Sequence, residues 1–130
     1  MRNGKIPLPA VLGLAALFTA GRWWAGRQGF VPDLWMLLLI APAVEETLYR
    51  GILFPAFREV LPLHAAAGLS AVFFALGHGS LPAMLCGLGF GYGAALLKEK
   101  KKRLLWPVLL HAAWNLAVYL AGWIPYQAIL

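Results

Sequence analysis

Residues 41–51 read APAVEETLYRG, and Glu45, Glu46 and Arg50 stand there inside an otherwise apolar run. A charge at mid-bilayer costs several kcal/mol, roughly 2.5–3.5 on insertion scales, so such groups mark functional positions. Glu46 and Arg50 are spaced i,i+4 with the acid first, the favourable order for an intrahelical ion pair. Glu45 lies about 100° further round the helix. Leu48 and Tyr49 occupy its i+3 and i+4 positions, so it is expected to lack a cation. An unpaired carboxylate in low dielectric holds a proton more readily than in water. That is the condition for a general base near neutral pH. Further along stand His78, in FFALGH, and the pair His111 and Asn115, in HAAWN. The i,i+4 spacing of His111 and Asn115 puts both on one helix face, where their donors can aim at one point. Two acids, two imidazoles and an amide are the parts of a hydrolytic site with an activated water and an oxyanion-binding side.

These groups need helices to carry them. Five apolar stretches are separated by short polar or Pro/Gly segments. The first runs roughly from Leu8 to Ala20, and GRWWAGRQGFVPD then reads as an interfacial loop with paired tryptophans. Asp33 is a plausible N-cap for a second helix from Leu34 to about Phe57. Pro42 removes one backbone donor inside it, which a membrane helix tolerates when neighbours satisfy the freed carbonyl. The segment from Val60 to Leu97 contains no Asp, Glu, Lys or Arg. It divides at GHGSLP into a third helix, about 63–77, and a fourth, about 82–97. Both fall near or below the roughly 17 residues of a full span, so tilt or bilayer thinning is expected. The fifth runs from about Leu104 to Trp123.

The composition agrees: 62% of the 130 residues are hydrophobic and 12% charged, against about 45–50% and about 25% in soluble domains. The fold class is therefore all-α, an integral membrane helical bundle of about five transmembrane helices. The chain reads as one domain, 1–130, with a first helix and interfacial loop (1–33) ahead of a core (34–122). The net charge of +6 fits basic cytoplasmic loops rather than nucleic-acid binding, since aromatic-basic interleaving is missing. With the N-terminus inside, Arg2, Lys5, Arg58, Lys98 and the KKKR run at 100–103 are cytoplasmic, and Arg22 and Arg27 lie opposite. The 98–103 cluster then anchors to anionic lipid. Met1–Thr19 has signal-peptide features, but an uncleaved first helix is the preferred reading.

Several residues read as structural. Cys86 has no partner for a disulfide or metal box. His64 lies in a Pro-flanked loop. The pairs Gly87/Gly91 and Gly89/Gly93 read as small-xxx-small faces for close helix packing. Phe74 is expected beside His78, limiting its rotation. Taken singly, the Glu46–Arg50 pair could be structural glue, His78 a packing residue and Asn115 an interhelical hydrogen-bonder; the set is harder to explain that way.

EETLYR fits E-E-x-x-x-R, FALGH fits F-x-x-x-H and HAAWN fits H-x-x-x-N, in that order. In these motifs, across about residues 34–122, the chain resembles the CPBP family of intramembrane proteases, which includes the CAAX prenyl endopeptidase and bacterial Abi proteins. The resemblance implies that Glu45 and His78 hold and activate a water, and that Glu46 supports them, clamped by Arg50. His111 and Asn115 would form the oxyanion site. It implies a glutamate-dependent endopeptidase with no metal or other cofactor, acting on a membrane-associated peptide or protein. The expected site is a bacterial inner membrane, and the expected substrate a C-terminal tail or short hydrophobic segment, prenylated or not. Members usually carry more helices ahead of the glutamate helix, so a partner or homo-oligomer is an open expectation. Two alternatives stand beside it: a zinc protease using Glu45, His78 and His111, or a non-catalytic immunity, scaffold or transport protein.

Overall fold

The computed structural model describes residues 4–29 and 32–122. Five helices follow one another: α1 (Leu8–Arg27), α2 (residues 34–58), α3 (Leu63–Leu76), α4 (Leu81–Lys101) and α5 (Leu105–Leu120). Among the described residues there is no strand. The result is an all-helical membrane bundle.

α1 continues to Arg27, so GRWWAGR is helix rather than the interfacial loop expected of it. Its buried residues Val11, Ala15, Thr19, Arg22 and Gly26 recur at spacings of three and four, one stripe of the helix. A loop reading missed this stripe because Arg22 and the two tryptophans resemble an interface. Trp23 and Trp24 are indeed exposed, while Arg22 is buried between them and the core.

α2 starts where Asp33 caps it: the Met36 N–H donates to Asp33 Oδ1 at 2.8 Å. The helix widens twice into π-helical turns, at Met36–Ile40 and Thr47–Leu53, each ending just before a proline, Pro42 or Pro55. π turns mark places where the regular hydrogen-bond ladder is interrupted, and they are frequent at functional sites. The interruption at Pro42 is filled from α5. In the widened turn the Ala41 N–H bonds to Met36 O, so the next carbonyl, Leu37 O, would look to residue 42. Proline has no N–H to give. Asn115 Nδ2 donates to Leu37 O at 2.9 Å instead.

α3 and α4 form a tight hairpin through Gly77–Ser80. The Ser80 side chain accepts from the Ala83 N–H at 3.4 Å and caps α4. Of the two glycine pairs, only Gly87/Gly91 lies in the helix contact. A Cβ on Gly91 would stand 3.1 Å from Ala71 Cα, and one on Gly87 3.5 Å from Ala75 Cα. Gly89 and Gly93 face open space. α4 is longer than expected, 21 residues, because the chain stays helical through Lys98–Lys101 before Lys102 turns into the left-handed region. α3 has 14 residues and so spans roughly 21 Å, short of the roughly 30 Å hydrocarbon core. α5 ends at Leu120, and the expected end at Trp123 lies outside the described residues. His64 sits in the first turn of α3, not in a loop, and bonds Tyr92 Oη.

The exterior is apolar, with Leu17, Trp35, Leu81 and Leu120 among its most exposed side chains. Charges collect at one end: Lys5 pairs with Glu59 at 2.7 Å, and Arg58 and Lys102 both reach Glu99.

Candidate active site

Every ionisable group singled out from the motifs is buried: Glu45, Glu46, Arg50, His78 and His111, together with Asn115. Glu46 and Arg50 pair as their spacing predicts, Arg50 Nη1 donating to Glu46 Oε1 at 2.9 Å. His111 joins the same oxygen across from α5, with Nδ1 2.7 Å from Glu46 Oε1. A carboxylate can only accept, so the His111 proton sits on Nδ1. That leaves His111 Nε2 turned toward Glu45, 3.7 Å from Oε2. In neutral His111 both facing atoms are acceptors, an arrangement that a water molecule donating to both satisfies.

Glu45 has a cation after all. Arg22 of α1 brings Nε to 3.1 Å from Glu45 Oε1. The expectation of an unpaired Glu45 fails because it considered only neighbours on the same helix; the partner arrives from a different one. Arg22 is itself held in place. Its Nη1 donates to Tyr49 Oη at 3.1 Å and to Phe74 O at 3.0 Å. Tyr49 Oη bonds Thr19 Oγ1 at 2.7 Å, and Thr19 Oγ1 donates to Phe73 O. The direction is consistent along the chain: Arg22 to Tyr49, Tyr49 to Thr19, Thr19 to the α3 backbone. Gly77 makes room for it, since a Cβ there would lie 2.3 Å from Arg22 Nη1. The buried polar cluster is therefore not confined to residues 34–122; Arg22 and Thr19 of α1 take part in it. Arg22, Tyr49 and Thr19 belong to this cluster without occupying any of the three motifs' named positions. The available signal was the stripe of small and polar residues on α1, with Arg22 in register.

Phe74 does more than flank His78. Its ring meets His78 and His111 edge-on, at centroid distances of 5.2 and 5.5 Å. The guanidinium carbons of Arg50 and Arg22 lie 4.5 and 5.0 Å from its centroid. It thus stands between the two histidines and offers its ring to both guanidinium groups. His78 Nδ1 approaches Ala75 O at 3.2 Å, so its proton also sits on Nδ1 and Nε2 is left as an acceptor. Among the described residues His78 makes no ion pair or hydrogen bond with either glutamate. Nor do three or more His, Cys, Asp or Glu side chains among them gather as a metal-binding set.

A groove of about 450 Å³ runs between α1 and α2. Its walls are apolar, including Leu17, Phe18, Met36, Ile40 and Val44, and its charged lining is Arg22 and Glu45. It opens on the outer face of the bundle, where Leu17, Ile40 and Val44 are exposed. Glu45 therefore meets the groove on one side and His111 on the other.

Residues 27–117 match the family described as type II CAAX prenyl endopeptidase, Rce1-like. The "Putative membrane peptidase YdiL" of Bacillus subtilis (strain 168) is 30% identical over 77 residues, which are 59% of this chain and 32% of that protein. The match thus spans about a third of the length of that curated relative. No solved structure matches the chain.

Proposed function

We propose that this chain, which belongs to the Rce1-like family of type II CAAX prenyl endopeptidases, hydrolyses a peptide bond of a membrane-associated peptide or protein with Glu45 as general base. The observation that carries this reading is the position of Glu45: buried, at the polar floor of a lipid-facing groove, with His111 Nε2 3.7 Å away. A hydrophobic segment entering from the bilayer fills the apolar walls and brings its backbone to the carboxylate.

In this reading Glu45 takes a proton from the attacking water, whose other hydrogen is held by the acceptor at His78 Nε2. Glu46 and Arg50 orient His111. The remaining N–H of Asn115 stands on the oxyanion side, and His111 joins it in molecules whose ring already carries a second proton. Hydrolysis without a metal ion is supported by the charge arrangement. Arg22 and Arg50 already stand about 3 Å from the two carboxylates that a dication would need. The basic end bearing Lys5, Arg58 and residues 98–103 is placed at the cytoplasmic face, by the positive-inside rule, in a bacterial inner membrane. The substrate is a C-terminal tail or a short hydrophobic segment.

Reconstitution in vesicles with internally quenched membrane peptides tests this reading. Wild type cleaves, Glu45→Gln, His78→Ala and His111→Ala lose cleavage, and a strong chelator leaves the wild-type rate unchanged. Full cleavage by Glu45→Gln would sink the proposal. Loss of cleavage with chelator, restored by zinc, would replace it with a metalloprotease.

A further inference from the structure

Arg22 is an ionised group of the site that the three motifs do not include, and it lies ahead of the residues matched to the family. Its side chain is only 7% exposed. Nε stands 3.1 Å from Glu45 Oε1 as an ion pair and Nη1 donates to Tyr49 and Phe74, while neither Nε nor Nη2 makes a hydrogen bond. In the planar guanidinium fork, one Nη2 hydrogen projects on the same edge as Nε–H. That edge is the one turned to Glu45, and both residues line the groove.

The other donors nearby are committed or turned away. Arg50 Nε and Nη2 are also unbonded, but Arg50 does not line the groove, and its Nη2 lies against α4, where a Cβ on Gly91 would stand 2.8 Å from it. Asn115 Nδ2 gives one hydrogen to Leu37 O. His111 and His78 each spend their proton at Nδ1, so in the neutral state each presents an acceptor at Nε2. Beside Glu45, the permanent donors without a hydrogen-bond partner are Nε and Nη2 of Arg22, which share one edge of its guanidinium.

We propose that Arg22 contacts the substrate, donating from Nη2 to the carbonyl oxygen of the scissile peptide and holding the oxyanion that forms there. This deepens the hydrolytic reading and rests on it. As the water oxygen bonds to the carbonyl carbon, Glu45 accepts the water proton and the C=O π pair moves onto oxygen. Negative charge passes from Glu45 to the oxyanion along a single edge of one guanidinium, so the cation never loses its partner. Collapse re-forms the C=O bond and breaks C–N, and the proton on Glu45 passes to the leaving nitrogen. One water is consumed, an acid and an amine are released, and Glu45 returns to its starting state.

The test uses the full chain in proteoliposomes and an internally quenched membrane peptide that wild type cleaves. Arg22→Ala should lower kcat about 10²–10³-fold, the usual loss for one oxyanion donor, with KM little changed. Millimolar guanidinium ion should restore part of the rate, because it supplies the missing donor in the space left behind. Arg22→Lys, which keeps a cation by Glu45 but lacks the second donor, should stay slow while its thermal midpoint remains near wild type. A merely structural role would lower the folded fraction without guanidinium rescue and leave kcat per folded molecule intact in Arg22→Lys. Wild-type kcat in Arg22→Lys, alongside an inactive Glu45→Gln, would overturn the role of Arg22 and leave the hydrolytic reading standing. Cleavage that survives Glu45→Gln, or no cleavage of any such peptide by wild type, would overturn both.

Discussion

Asn115 on α5 donates from Nδ2 to the carbonyl oxygen of Leu37 on α2 at 2.9 Å, supplying the hydrogen bond that Pro42 cannot make. In hydrocarbon there is no water to take over that carbonyl, so the side chain of one helix completes the backbone of another. The same bond fixes the position of α5 against α2 and hence of His111 against Glu46.

Removing the amide should therefore destabilise the bundle. Asn115→Ala is expected to cost about 1–3 kcal/mol, the usual penalty for a buried polar group left unpaired. Pro42→Ala in the same chain returns a backbone N–H, so the double variant should recover part of that loss. Thermal unfolding of the four proteins in detergent gives the coupling directly. Strict additivity would show that the Leu37 carbonyl is not what joins the two residues.

The Glu46–Arg50 pair has no exposed surface on either side chain. Breaking such a pair by removing one partner typically costs about 3–5 kcal/mol, because the remaining Glu46 charge keeps only the His111 hydrogen bond in a buried site. Arg50→Met is expected in that range. Arg50→Met combined with Glu46→Met should lose less than Arg50→Met alone, as measured by chemical unfolding in detergent.

Glycines on the two sides of α4 should respond differently. A Cβ at Gly91 meets Arg50 Nη2 at 2.8 Å and Ala71 at 3.1 Å, whereas at Gly89 it meets nothing. Gly91→Ala is expected to destabilise by about 1–3 kcal/mol through overpacking. Gly89→Ala should change stability by no more than about 0.5 kcal/mol or raise it slightly through better helix propensity. Equal midpoints for the two variants would contradict the observed packing of α3 on α4.

Gly77 offers a way to move Arg22 without replacing it. A methyl group there would collide with Nη1 and the guanidinium carbon, at 2.3 and 2.8 Å. Gly77→Ala should therefore push the guanidinium off Tyr49 and Phe74 and slow peptide cleavage. The check is whether Gly77→Ala lowers kcat in an Arg22 background but has little further effect in Arg22→Ala.

The amino-acid sequence by itself determined the membrane class, the number of helices, the Asp33 cap, the hairpin at Gly77–Ser80 and the Glu46–Arg50 pair. Each depends on hydrophobic length or on neighbours within a turn or two, so the cause lies in adjacent residues. Only the tertiary structure decided what Glu45 faces, which carbonyl Asn115 donates to and which glycine stripe packs. Arg22 and Glu45 stand 3.1 Å apart although they belong to different helices, and no local periodicity encodes the rotation of α1 about its axis. That rotation is set by the small residues Ala15, Thr19 and Gly26 packing inward. Close packing of a narrow stripe against α2 and α3 carries a charged side chain with it into the core.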